Sequence, residues 1–188
     1  MTFPRILLPV LLTVGVVAAG AGVVTENNAK NDQLDDLRSV VTALAPDATV
    51  DSTDLRGFPQ TVRRANHEIP TAYVNLTADG QQMQWIVQDL HTDTRRLGLL
   101  DVLVTVDLPG AQPTPVTDDS GAYTDRGTVD GTTVAYGAHL DGPDLIVTAD
   151  GAEISRTPAP VDGGLRVDKA FVSDAGLRVQ LTARNLTV

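Results

Sequence analysis

The sequence predicts an α+β fold: a long N-terminal amphipathic helix packed in a strongly twisted, mainly antiparallel β-sheet. Three observations predict it. One apolar stripe at helical spacing runs through residues 26–45. After Pro46, apolar residues alternate with polar ones in segment after segment. Short turn pairs, most of them Asp-Gly, separate those segments, so consecutive strands fold back on one another. A length of 188 residues suggests one domain, or one with a tail.

The chain opens with Arg5 followed by Ile6 to Val24 without a charge. Ala19-Gly20-Ala21 matches a small-x-small cleavage site, which reads as a signal peptide. The same run is nearly long enough to span a bilayer, which reads as an uncleaved signal anchor. One cation ahead and acidic residues behind place the body outside the cytoplasmic membrane in both cases. Residues 1–24 are therefore read as signal peptide or signal anchor, and 25–188 as a single exported domain.

The helix follows. Leu34, Leu37, Val40, Val41 and Leu44 share one face, Asp35, Asp36, Arg38 and Ser39 mostly the other, and Pro46 ends the element. Strands come next. Val74, Leu76 and Ala78 alternate within 73–78, and Trp85 to His91 is mostly apolar. Leu100, Val102, Val104, Val106 and Leu108 line one face of 99–108. Val134 to Leu140 and Leu165 to Phe171 repeat the pattern, and Leu177, Val179, Leu181 and Ala183 close the chain with a last strand. Residues 109–131, rich in Pro and Gly with Asp118-Asp119, read as a long exposed flexible loop. A helix of about 20 residues spans roughly 30 Å and lines only part of a sheet of six or more strands. The uncovered remainder would be a groove.

Composition removes several function classes. With 24 Asp+Glu against 14 Lys+Arg, the chain lacks the clustered cations that nucleic-acid phosphates require. With no Cys it has no disulfide, thiolate ligand or cysteine nucleophile. No nucleophile elbow, phosphate loop or zinc signature occurs, and His67, His91 and His139 have no ligand spacing. Asp141-Gly-Pro-Asp144 reads as a turn, having too few oxygen ligands for calcium. The chain is thus expected to be no enzyme and to need no cofactor or metal. Arg63-Arg64 and Arg95-Arg96 are basic pairs on an acidic protein: either a solvated rim or, at the mouth of a pocket, a phosphate clamp.

A short strand ending in Gly57-Phe58-Pro59 follows the helix, and Gly164-Leu-Arg-Val-Asp-Lys169 and Gly176-Leu-Arg-Val-Gln-Leu181 open the last strands. In that order these features resemble the LmeA-like phospholipid-binding proteins of the actinobacterial cell envelope, over roughly residues 28–188. Two departures stand out. Gln60 and Thr61 replace further apolar residues after Phe-Pro, and 109–131 lacks a helical period. The resemblance implies a tubular lipid-binding fold, with phospholipid acyl chains held between helix and sheet. The lipid-binding residues would be Leu34, Leu37, Val41, Leu44, Phe58, Pro59 and Trp85, with Arg63 and Arg64 on the headgroup. Phe58 would end a strand pointing inward, and Pro59 would begin a helical turn, Gln60 to Ala65. For each apolar residue, plain core packing is the competing role. Phospholipid is the expected partner, with the membrane as a second if the N-terminal segment stays uncleaved. The alternative is an extracytoplasmic protein-interaction module with a filled core and an envelope protein as its partner.

Overall fold

The computed structural model describes residues 7–57, 59–78, 80–161 and 164–188, with side chains from Thr25 onward. The expectation for Phe58 therefore lies outside the described residues, as do the first six residues of the signal segment and every side chain of residues 1–24. Among the described residues no helix is long and apolar enough to cross a membrane.

The architecture is α+β, dominated by antiparallel sheet. Helix α1 (Leu7–Leu44) comes first, then β1 (Thr49–Arg56), the short α2 (Gln60–Ala65), and a meander of β2 (Glu68–Ala78), β3 (Gln81–His91) and β4 (Arg96–Val106). The chain leaves that sheet for β5 (Thr114–Thr117), β6 (Tyr123–Val129), β7 (Thr132–Asp141), β8 (Asp144–Ala149) and β9 (Ala152–Pro158). It returns through β10 (Arg166–Ser173) and β11 (Gly176–Thr187). The strands form a six-stranded sheet ordered β1-β2-β3-β4-β11-β10 and a five-stranded sheet ordered β5-β6-β7-β8-β9.

The pairing register shows how the alternating pattern becomes a core. Thr53, Val74, Trp85, Val102, Leu181 and Val167 line up as one row across all six strands of the larger sheet. The neighbouring residue on each strand faces the other way, so the row Tyr73, Ile86, Asp101 and Thr182 lies on the outer face. There Thr182 Oγ1 donates to Asp101 Oδ1 at 2.7 Å. One device re-aims a side chain. Asp89 takes a left-handed conformation at φ 53°, which breaks the alternation of β3 and lets both Val87 and Leu90 be buried. Gly98 on β4 makes room for it, since a Cβ there would stand 3.0 Å from the Asp89 Cβ.

Two expectations are corrected. Residues 109–131 do not form one loop: β5 and β6 occupy much of the stretch. Pro115 is tolerated in β5 because that strand is an edge of its sheet, where a missing N–H faces no partner. The strands also form two sheets rather than one, and this changes what covers the inner face. Leu37, Val40 and Val41 of α1, with Ala45 just beyond its end, share one apolar core with the six-stranded sheet, and Tyr136, Leu145 and Val147 of the smaller sheet enter the same core. The part of the sheet that a single helix leaves bare is thus met by a second sheet, not left as an open slot.

Helix α2 falls on the six residues expected of it, but its cap comes from afar. Pro59 at its start contributes no side-chain hydrogen bond. The Glu26 carboxylate of α1 instead accepts the backbone N–H groups of Gln60 and, at 3.1 Å, Thr61. A carboxylate suits that place because the first N–H groups of a helix have no partner within it. The Gly57 that precedes has φ 109°, which only glycine adopts without strain.

Candidate functional site

The apolar cavity that best fits a lipid chain lies at the C-terminal end of α1. Its volume is about 270 Å³, just under the range of about 300–1,000 Å³ typical of small-molecule sites. Three parts of the fold converge on it. The end of α1 and the turn after it supply Leu44, Ala45 and Ala48. The β2–β3 hairpin supplies Ala78 and Met83, and the segment after β9 supplies Val161 with its neighbouring prolines. The geometry follows from local sequence. Pro46 stops the helix, and Pro158 and Pro160 hold the β9–β10 connection extended, since each proline fixes its own φ and disfavours helix in the residue before. The lining also carries polar side chains: Asp47, Gln81 and Thr157. Thr157 Oγ1 is buried and has no hydrogen-bond partner among the described groups. A hydroxyl so placed can donate to a carbonyl or ester oxygen entering the groove.

The residues expected to bind lipid separate into distinct environments. Leu37 and Val41 are 1% exposed and Trp85 is fully buried, and none of the three lines this groove. Leu34 is half-buried and packs against the core. Among the described ones, Leu44 alone lines the groove. Pro59 is exposed at the start of α2, well apart in sequence from the groove lining. Trp85 Nε1 is also buried without a partner, at the centre of the inner face.

No protein-family model, curated protein or solved structure matches the chain.

Arg63 and Arg64 are both engaged. Arg63 Nη1 lies 3.0 Å from Glu68 Oε2 and Arg64 Nη2 lies 2.6 Å from Asp32 Oδ2. A phosphate reaching either guanidinium would have to displace a carboxylate already in place. Among the described residues, no group of three or more His, Cys, Asp or Glu is arranged to hold a metal ion.

Sequence reasoning missed Met83, Val161 and Thr157. Met83 and Val161 carry no signal beyond apolarity. Thr157 was hidden because its position in the groove depends on how the smaller sheet docks. The Pro158-Ala-Pro160 run was the one local sign of a rigid stretch ending β9.

Proposed function

We propose that this chain is a non-enzymatic exported protein of the cell envelope that binds lipid, taking an acyl chain into the groove at the end of α1. The observation that carries the reading is the groove itself: a lining more apolar than polar, with Asp47 and Gln81 on it and an orphaned hydroxyl, Thr157 Oγ1. An acyl ester suits such a lining, since the chain gains about 0.8 kcal/mol per buried CH₂ and the ester oxygen accepts one hydrogen bond. At about 270 Å³ the groove accommodates part of one chain, leaving the headgroup in solvent. Export is supported by the uncharged run Ile6 to Val24 after Arg5. The resemblance carried by Gly57-Phe58-Pro59 supports phospholipid as the lipid class.

Native mass spectrometry of the chain, purified without added lipid and then exposed to phospholipid vesicles, tests the reading. Uptake of one lipid, lost in Ala78→Trp with an unchanged melting temperature, is the expected result. Ala78 is half-buried at the groove wall, on the margin of the core, so an indole there fills the groove. An apo mass under both conditions would overturn it.

The interaction-module reading has one observation in its favour. Leu37, Val41 and Trp85 are buried in one shared apolar core, and Trp85 sits in the middle of the sheet row that faces it. On that reading the groove binds no lipid and the same experiment returns only protein.

A further inference from the structure

A second cleft, of about 530 Å³, opens where α1, the end of α2 and the β3–β4 turn meet. Asp32, Asp35, Asp36, Glu68 and Asp93 all line it. Three of these carboxylates are answered: Asp32 by Arg64 at 2.6 Å, Asp35 by Arg38 at 2.9 Å and Glu68 by Arg63 at 3.0 Å. Asp36 and Asp93 have no ion pair among the described residues. Acidic side chains alone would mean little on a chain of formal net charge −10.

The deciding residue is Gln33. It is the buried member of the lining, 2% exposed, and so forms the floor of the cleft. Its Nε2 donates to the Glu68 carbonyl at 3.0 Å. Because a carbonyl only accepts, that bond fixes which way the amide points. Its Oε1 is then left buried with no donor among the described groups. Buried acceptors without a partner are rare and point to a missing group. The floor needs an N–H or O–H donor, and the walls offer two uncompensated negative charges.

We propose that this cleft binds an organic cation bearing several N–H groups, a primary ammonium or a guanidinium. Such groups donate three and five hydrogen bonds respectively and accept none, which matches the Gln33 Oε1 acceptor and the Asp36 and Asp93 carboxylates, while Arg64, on the same lining, is held by Asp32. A bare metal ion fits less well, because the carboxylates and histidine here are not gathered closely enough to coordinate one. The cation can come from a free polyamine or from an arginine or lysine of a partner protein. Negative net charge on the chain speeds the encounter in both cases. The inference stands independently of lipid binding.

The test is a titration of the ¹⁵N-labelled chain with spermidine and, separately, with an arginine-rich peptide, followed by NMR at low ionic strength, where charge attraction is least screened. The expected result is a saturable shift of the Gln33 side-chain amide together with the backbone amides of residues 67, 68, 92 and 93. Asp36→Asn combined with Asp93→Asn should weaken binding by about tenfold or more, since each removes a charge-assisted contact. Both positions are exposed, so the variant keeps its fold. Tighter binding of the peptide identifies a protein partner, and tighter binding of spermidine identifies a free amine; each supports the site. Shifts scattered over the acidic surface, equal binding by the double variant, or the same shifts at the same concentrations of magnesium would overturn the proposal.

Discussion

Leu37→Ala separates a packed core from a lipid slot. Leu37 is 1% exposed and belongs to the core shared by α1 and both sheets. The substitution deletes three carbons, about 2.4 kcal/mol at roughly 0.8 kcal/mol each. A cavity remains because the sheets that share this core with Leu37 are held by their ladders and cannot readily collapse inward. In such sites Leu→Ala costs about 3–5 kcal/mol. For a chain of this length, about 2–4 °C of melting temperature is lost per kcal/mol, so the melt should fall by roughly 6–20 °C. The assay is urea unfolding followed by circular dichroism, with an unchanged slope showing that the same surface is exposed on unfolding. Lipid uptake should persist below the melt, since Leu37 does not line the groove. A loss under about 1 kcal/mol would refute the reasoning, for it would mean that space already exists around Leu37 in the folded protein.

The remaining predictions concern α2 and its neighbours. Burial pushes the Glu26 carboxyl up, but the backbone amides of Gln60 and Thr61 and the Thr61 hydroxyl outweigh it, and the group sits below its ordinary value of 4.5. A depressed carboxylate stabilises the fold above its unfolded value, and that stability is lost as pH falls through the lower folded value. Glu26→Gln should therefore lower the urea midpoint at pH 7, and the gap to the parent should narrow below pH 4.5; a gap of the same size at acid pH would show that ionised Glu26 is not the cap. Arg63→Glu with Arg64→Glu breaks the pairs to Glu68 and Asp32 and replaces attraction with repulsion. Stability should fall by about 1–2 kcal/mol, as expected for half-exposed pairs, while lipid uptake stays constant. A selective loss of anionic lipid, at full stability, would restore the phosphate clamp.

The sequence by itself determined the elements whose signal is local. Leu37, Val40 and Val41 mark the buried face of α1 at 3.6-residue spacing, and Pro46 marks its end. Val102, Val104 and Val106 alternate into the core as a period of two requires, and Pro59 starts a short helix where a proline suits the first turn. Only the tertiary structure decided what lies against each face. Thr114–Thr117 and Tyr123–Val129 are strands because pairing partners exist for them, which no window of residues reveals. Trp85 became the centre of a six-strand row, rather than a lid over lipid, because β4 and β11 pair across a long excursion of the chain. The groove joins Leu44, Met83 and Val161, and the acidic cleft joins Gln33, Glu68 and Asp93. Each brings together side chains from distant parts of the chain, where local periodicity is silent and only packing, charge and hydrogen-bond satisfaction decide.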